Sequence, residues 1–308
     1  MTNFVKNIIN QKSHTIKMYL PIFANVFVWW KMIRPINLLI IVLTQISIRI
    51  FCVISKDNSL PNWYEDVIFW KIVAATLCVA AAGYVINDYY DIKIDIINKP
   101  KDVVIGKKIH RRGAILGHFC INFIGLLFGF SADIKIGIIC FFCEFFLWAY
   151  SSILKPLPLV GNVLIGFLTG SSIYILSIPY DDNNIKSNSI LVFSVFAFFI
   201  TIVREIIKDM EDIKGDEMHQ CKTLPIVLGI QKTKNIVYVF TISLILLLFS
   251  VYFSFSGFIA LYFCIFIIPL LFVFMYLLNK AIHKQEYHFL SIFAKMIMFL
   301  GILGMILI

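Results

Sequence analysis

The sequence predicts an all-α, polytopic membrane protein with about nine transmembrane helices. Hydrophobic residues make up 60% of the 308 residues and charged residues only 15%, which is outside the usual range of soluble domains. Apolar runs of roughly twenty residues, long enough to cross a bilayer as helices, recur along the chain. The predicted spans are, in order, 36–54, 67–90, 113–130, 134–151, 159–178, 188–207, 235–256, 258–278 and 289–308.

Residues 1–35 are predicted to form a cytoplasmic or interfacial segment before the first span. Short apolar stretches alternate there with basic residues, as in helices that lie on a membrane surface. No small-residue cleavage site follows a compact apolar core, so we expect no signal peptide. The remainder, 36–308, is predicted to form a single transmembrane domain.

The distribution of Lys and Arg predicts the orientation of the spans. Basic residues cluster in the loops after the second, fourth, sixth and eighth spans, whereas the opposite loops are short or acidic. Because Lys- and Arg-rich loops stay in the cytoplasm, we expect these loops and the N-terminus to be cytoplasmic, at an inner cell membrane. The net charge of +9 suits anionic membrane lipids, and no solvated basic domain of the kind that binds nucleic acid is predicted.

Two acidic motifs end the second and sixth predicted spans, on the expected cytoplasmic side. Residues 87–95 read Asn-Asp-Tyr-Tyr-Asp-Ile-Lys-Ile-Asp and residues 208–216 read Lys-Asp-Met-Glu-Asp-Ile-Lys-Gly-Asp, with five of the nine positions identical. Uncompensated carboxylates are costly where a membrane helix meets water, so such clusters usually bind a metal ion or a substrate.

The spacing of the polar residues places each set on one helix face, at i, i+4, i+8 in the first motif and i, i+3, i+7 in the second. Oxygen ligands suit Mg²⁺, which takes a few carboxylates and leaves positions for phosphate oxygens. The motifs thus predict a cradle for a Mg²⁺-bound diphosphate, with a solvated acidic rim as the alternative. The predicted metal ligands are Asn87, Asp91, Asp95, Asp209, Asp212 and Asp216, with Asp88 as a further candidate.

Basic residues near the same level of the membrane are candidates for binding the diphosphate. Arg34, Lys155 and Arg204 are predicted for this role, together with Asn87 and Asp209. Topology alone would also place basic residues at this level. Cys140 and Cys143 lie inside an apolar span without nearby charge, so we expect them to be packed rather than redox-active.

An internal duplication is predicted to organise the chain. Asn37 to Thr44 in the first span matches Asn162 to Thr169 in the fifth at Asn, Leu, Ile, Leu and Thr. The chain is therefore predicted to contain two parallel four-helix repeats, 36–151 and 159–278, followed by one extra helix, 289–308. Sites commonly form where such repeats meet, so the two acidic motifs are expected to face each other. Chance similarity between apolar segments is the alternative for the Asn pair.

These motifs and the nine spans resemble the UbiA superfamily of intramembrane prenyltransferases. The resemblance rests on Asn87-Asp-x-x-Asp91-x-x-x-Asp95 after the second span and on the second Asp-rich motif after the sixth. It implies a Mg²⁺-dependent enzyme that takes a prenyl diphosphate donor and a hydrophobic acceptor. By the same resemblance, the residues implied to be catalytic are Asp91, Asp95, Asp212 and Asp216.

The second motif, followed by Lys222-Thr-Leu-Pro225, and the opening Arg34-Pro-x-Asn37 are most similar to geranylgeranylglycerol-phosphate geranylgeranyltransferases. The resemblance implies a glycerol-phosphate ether lipid as acceptor. Aromatic quinone precursors, such as 4-hydroxybenzoate or a naphthoate, are the alternative acceptors, and a membrane transporter is the alternative class. The candidate acceptor-binding residues are Asn37, Asn162, Lys107 and Lys108.

Three positions depart from the pattern of the superfamily. Lys99 to Gly106 replaces the usual Arg/Pro/Ser-Gly loop after the first motif, and Gln220 stands where Gly is common. The frequent Tyr-x-x-x-Lys after the fourth span has one extra residue here, between Tyr150 and Lys155.

Overall fold

The computed structural model of the protein describes residues 22–53, 60–180, 186–254 and 258–307. Over these ranges the chain is a helical bundle, which confirms the predicted all-α class. Its helices are α1 (Ile22–Met32), α2 (Pro35–Phe51), α3 (Val67–Asn98), α4 (Arg111–Ala132), α5 (Ile134–Ala149), α6 (Val160–Tyr174), α7 (Ser187–Met218), α8 (Leu224–Leu228), α9 (Ile230–Ser254), α10 (Phe258–Tyr262), α11 (Ile268–Lys280) and α12 (Lys284–Leu303).

Eight helical stretches in the described ranges are long and apolar enough to cross a membrane, which makes this an integral membrane protein. A ninth apolar helix, α2, is shorter. Each predicted span overlaps one of these nine stretches. The eight long ones are Val67–Asn98, Arg111–Ala132, Ile134–Leu154, Val160–Ser177, Ser187–Met218, Ile230–Ser250, Phe258–Lys280 and Lys284–Leu307.

The helices that carry the acidic motifs are longer than predicted. We expected them to end at residues 90 and 207, but α3 runs to Asn98 and α7 to Met218. Hydropathy falls where the chain leaves the bilayer, whereas the backbone hydrogen bonds of a helix continue independently of side-chain polarity. Both motifs therefore lie on the last turns of rigid helices and not in the loops that follow.

Helices α3 and α7 are the central helices of the bundle. α3 contacts α2, α4, α5 and α7, while α7 contacts α6, α9 and α12. α6 lies close to α7 at Gly170, where the absence of a side chain permits the approach. A Cβ atom added there would lie only 2.8 Å from the Ser194 carbonyl oxygen. This packing fixes the position of the second acidic motif relative to its neighbours.

A buried polar network closes the end of the bundle opposite the motifs. The Arg49 guanidinium donates to the Asp66 carboxylate at 2.8 Å and to the Pro61 carbonyl at 2.7 Å. The Tyr180 hydroxyl donates to the same carboxylate at 2.7 Å, and the other Asp66 oxygen caps α3 at Phe69. The network ties α2, the start of α3 and the segment before α7 together.

Of the predicted segment 1–35, residues 1–21 lie outside the described ranges. Helix α1 packs against α3 and the loop that follows it through Val28 and Met32. Lys31 donates to Asp102 at 2.7 Å in that loop. α1 therefore lies beside the end of the first acidic motif.

The predicted repeats stay a prediction, but their matched segments are placed alike. Thr44 and Thr169 both face the interior cavity described below, and each hydroxyl donates to the carbonyl four residues earlier, at 2.7 and 2.8 Å. Asn37 and Asn162 lie at the first turns of α2 and α6, near the acidic motifs.

Candidate active site

A cavity of about 560 Å³ runs through the bundle, parallel to the helices. One end is charged and contains the acidic residues of both motifs. Away from this end the lining is mostly apolar, as at Val79 on α3 and Phe193 on α7, with Thr and Ser side chains interspersed. The far end is lined by Gln45, Thr76, Ile175, Phe193 and Met305.

The first motif presents four polar side chains to the cavity: Asn87, Asp88, Asp91 and Asp95. The Asn87 amide donates to Asp91 at 2.7 Å, and the Lys155 ammonium donates to the same Asp91 oxygen. Asp91 is 5% exposed, so this pairing compensates a buried charge.

The second motif presents Asp209, Asp212 and Asp216. Asp209 accepts a hydrogen bond from the Asn162 amide at 2.8 Å, and Asp212 accepts one from Lys99 at 2.9 Å. Burial opposes the charge of Lys99, but the Asp212 carboxylate outweighs it, so the pKa of Lys99 is raised. The motif is thus held by residues from α6 and from the end of α3.

Asn98, the last residue of α3, joins the two motifs. Its amide nitrogen donates to the Asp212 carbonyl at 3.0 Å, and its amide oxygen accepts from the Gly215 backbone N–H at 3.0 Å. A Cβ atom at Gly215 would lie 2.4 Å from the Asn98 nitrogen, so any larger residue here would force the Asn98 side chain to move. The two motifs are thus in contact through Asn98.

The donor set fits Mg²⁺, although no three Asp, Glu, His or Cys side chains in the described part of the chain are grouped as ligands of one ion. Mg²⁺ commonly uses one or two protein carboxylates and completes its shell with water and phosphate oxygens. Asp212 has such a carboxylate oxygen available: Oδ1 is buried, lacks a hydrogen-bond partner and is 4.0 Å from Lys284. The seven predicted ligand residues lie on two facing helices, and one or two of their carboxylates would hold the ion.

Arg34 lies at the start of α2 with a left-handed backbone, φ 52° and ψ 65°. This conformation is uncommon for a residue other than glycine and often marks a functional position. The guanidinium donates to Asp88 at 2.6 Å and lies 4.9 Å from the centre of the Tyr84 ring. Burial of the guanidinium lowers the pKa of Arg34, but the interactions with Asp88 and Tyr84 have a larger effect, so the pKa is raised overall.

Lys155 is positioned by a π-helical turn over Tyr150–Leu154. The Lys155 backbone N–H donates to the Tyr150 carbonyl at 2.9 Å, an i to i+5 hydrogen bond that accommodates one residue more than an α-helical turn. This turn absorbs the extra residue noted in the sequence, and both side chains line the cavity. Burial of the Lys155 ammonium lowers its pKa, but the nearby Asp91 carboxylate raises it by more, so the pKa of Lys155 is raised overall.

A group of basic residues lies on the other side of the charged end. The Glu205 carboxylate accepts from Arg204 at 2.5 Å and from Lys208 at 2.9 Å, while Lys295 donates to Asn37 at 3.2 Å. Sequence reasoning missed Lys208, Glu205 and Lys295. The sequence does contain an indication for Lys295. Placing a lone basic residue inside an apolar membrane span costs free energy, so such residues usually have a function.

Most predicted site residues line the cavity, but the two predicted acceptor lysines do not. Lys107 and Lys108 lie on the exposed loop after α3, where Lys107 donates to the Pro100 carbonyl at 2.9 Å. Asn37, Asn162, Arg34, Lys155 and Arg204 are all near the acidic motifs; of these, Asn162 reaches the site through Asp209. Cys140 and Cys143 line the apolar part as free thiols.

A family comparison and two curated relatives match this chain. The UbiA prenyltransferase family matches residues 48–302. A digeranylgeranylglyceryl phosphate synthase of Methanosarcina mazei is 35% identical over 59% of this chain, a match that spans 63% of that relative, a little under two thirds of its length. Another of that name, from Korarchaeum cryptofilum, is 31% identical over 81% of this chain and 90% of its own.

Solved structures share the architecture. A structure of a digeranylgeranylglyceryl phosphate synthase covers 91% of this chain and 97% of its own, with 25% identity and a TM-score of 0.69. A UbiA homologue from Archaeoglobus fulgidus, bound to GPP and Mg²⁺, covers 90% and 99%, with 14% identity and a TM-score of 0.62. With the family match spanning most of the chain, this protein belongs to the UbiA prenyltransferase family.

Proposed function

We propose that this protein transfers a geranylgeranyl group from geranylgeranyl diphosphate to geranylgeranylglycerol phosphate, with Mg²⁺ as cofactor. The observation that carries the proposal is the division of the cavity into a carboxylate-lined end and an apolar channel. A prenyl diphosphate has the same division, an anionic head and an apolar chain. Between Thr76 and Asp95 the channel follows α3 for roughly 28 Å, enough for several extended isoprene units.

The carboxylates of the two motifs would bind the diphosphate through Mg²⁺, as the Archaeoglobus homologue with GPP and Mg²⁺ supports. Bound Mg²⁺ would neutralise charge on the diphosphate and make it a better leaving group. Lys155 and Lys99 add fixed positive charge at the same end. The facing positions of the motifs, joined by Asn98, hold these groups in a constant arrangement.

In the proposed reaction the bond between the allylic carbon and the diphosphate oxygen breaks, and its electron pair leaves with the diphosphate. The acceptor hydroxyl oxygen forms the new ether bond to that carbon, and its proton passes to the departing diphosphate. The apolar channel would keep water from the allylic cation. Tyr84 and Tyr150 are the two tyrosines of the described residues that line the cavity, and either ring could stabilise the cation by cation–π attraction.

The names of the relatives from Methanosarcina mazei and Korarchaeum cryptofilum support an ether-lipid acceptor. We also propose that the charged end faces the cytoplasm at an inner membrane, since the basic loop after α3 flanks it. Asn37 remains our candidate for a contact with the acceptor.

Product analysis tests this function. The purified protein would be incubated with Mg²⁺, prenyl diphosphates of several lengths, and geranylgeranylglycerol phosphate, 4-hydroxybenzoate or a naphthoate as acceptor. We expect mass spectrometry to detect digeranylgeranylglyceryl phosphate, and no product without Mg²⁺. Efficient prenylation of an aromatic acid with no ether-lipid product would refute the proposed acceptor and leave the prenyl transfer standing.

A further inference from the structure

Four basic side chains converge on one side of the charged end of the cavity. Arg34 comes from the start of α2, Arg204 and Lys208 from α7, and Lys295 from α12, and all four line the cavity. Lys295 lies within electrostatic range of the other three. We call these four residues the cation cluster.

The cation cluster carries more positive charge than its own acids compensate. Glu205 is shared by Arg204 and Lys208, and Arg34 is paired with Asp88. The contact of Lys295 is with the neutral amide of Asn37, at 3.2 Å. Four cations thus share two carboxylates, which leaves an excess of two positive charges.

The cluster also holds hydrogen-bond donors that the protein does not use. The Nε atom of Arg204 is buried and has no hydrogen-bond partner among the described residues. Lys295 has three donor hydrogens, and one of them is directed to Asn37. A buried donor without an acceptor costs free energy, so these groups are arranged for an anionic ligand.

This locus adjoins the predicted diphosphate cradle but is separate from it. Arg204, Lys208, Asp212 and Asp216 follow one another at intervals of four residues on α7, so the two basic residues precede the two acids along the same helix face by about one to three turns. The cradle has its own cations, since Lys155 pairs with Asp91 and Lys99 pairs with Asp212. A second anion is therefore accommodated beside the first.

We infer that the cation cluster binds the phosphate monoester of the acceptor, and that Lys295 selects phosphate-bearing acceptors over neutral ones. The inference rests on the proposed function and adds the residues that would recognise its acceptor. A phosphate monoester carries about 1.5 to 2 negative charges at pH 7, which matches the excess charge of the cluster. An aromatic carboxylate would supply one charge.

The test compares Lys295→Met with Lys295→Arg, and uses Lys232→Met, an exposed lysine outside the cavity, as the matched control. Each variant is assayed with geranylgeranylglycerol phosphate and with the same lipid lacking phosphate. For Lys295→Met we expect the KM of the phosphorylated acceptor to rise about 10- to 100-fold, the range for loss of a charged hydrogen bond. The donor KM and the rate with the neutral alcohol should change less than about two-fold, and Lys295→Arg should restore most of the affinity.

A direct binding measurement keeps the inference testable if turnover is absent. Calorimetric titration of geranylgeranylglycerol phosphate, without donor and Mg²⁺, should give a Kd weakened by a similar factor in Lys295→Met. Three results would overturn the inference: a rise in donor KM alone, equal losses with both acceptors, or an effect of a Lys107→Gln/Lys108→Gln double variant in place of Lys295→Met. If the wild-type protein binds the phosphorylated lipid but transfers nothing to it, the proposed function fails while the binding site stands.

Discussion

Asp91 shows at the residue scale how the site compensates a buried carboxylate. It receives hydrogen bonds from Asn87 on its own helix and from Lys155 on the segment after α5. Asp212 differs, because one of its oxygens is paired with Lys99 and the other is buried without a hydrogen bond. Both carboxylates are thus paired with a lysine, and Asp212 retains one oxygen without a hydrogen bond.

Replacing either carboxylate by its amide is expected to abolish most of the activity. Asp91→Asn and Asp212→Asn keep the shape of the side chain but remove a charged Mg²⁺ ligand, so we expect a loss of roughly 10²-fold or more in kcat/KM. Initial rates over a Mg²⁺ titration measure the effect. Glu217→Gln is the control, since Glu217 is exposed beside the motif and does not line the cavity. Near-normal turnover of both variants at limiting Mg²⁺ would disprove the role.

Sequence reasoning located the acidic residues of the site but not its basic half. Carboxylate spacing is visible in a sequence because one helix face repeats at fixed intervals. Lys295 and Arg204 come together only because α12 packs on α7, a contact between distant segments that no local pattern encodes. The loop lysines Lys107 and Lys108 attracted attention for their charge, yet they lie outside the cavity.

At the scale of elements, the contact between the ends of α3 and α7 depends on a glycine. Gly215→Ala would place a methyl group 2.4 Å from the Asn98 amide, which would have to move and lose its two hydrogen bonds to α7. We expect a loss of about 1–3 kcal/mol of stability and a larger fall in activity. Thermal unfolding in detergent and kcat measure the two effects.

Gly113→Ala is the matched control for that change. It also places alanine in a helix, but the new methyl group would lie 3.7 Å from Ile109, which is ordinary contact. We expect Gly113→Ala to be neutral or to raise the unfolding temperature, because alanine favours helix by up to about 1 kcal/mol. Equal behaviour of the two variants would mean that Asn98 adapts without cost.

The spans were predictable from hydropathy, whereas the ends of α3 and α7 were not. The predicted ends at 90 and 207 mark the point where apolar residues stop, and the helices continue for about two and three more turns to Asn98 and Met218. Hydropathy indicates whether a residue lies in the bilayer or in water. The backbone hydrogen bonds of a helix form in both environments, so the helix can continue beyond the membrane surface. The acidic motifs are therefore held more rigidly than loop residues would be.

At the scale of the whole molecule, the nine predicted crossings and the placement of basic loops predict a defined topology. We expect the N-terminus and both acidic motifs to be cytoplasmic and the C-terminus to lie on the opposite side. Single cysteines at Asp102, Met218 and Glu65, in a protein without its seven native cysteines, test this with an impermeant thiol reagent. Positions 102 and 218 should react from the cytoplasmic face and position 65 from the other. Labelling of 102 and 218 from opposite faces would disprove the two-repeat arrangement.

The π-helical turn at Tyr150–Leu154 has a consequence for comparing this protein with its relatives. Compared with the Tyr-x-x-x-Lys pattern of the superfamily that the sequence resembles, Tyr150 and Lys155 are one residue further apart, and the wider turn lets both side chains line the cavity. In an ordinary α-helix one additional residue would rotate all following side chains by about 100°. The π-helical turn avoids this rotation, so Lys155 still faces the cavity. Functional equivalence at this position follows spatial location and not residue count, so an alignment on Tyr150 without a gap would assign the role of the lysine to Leu154.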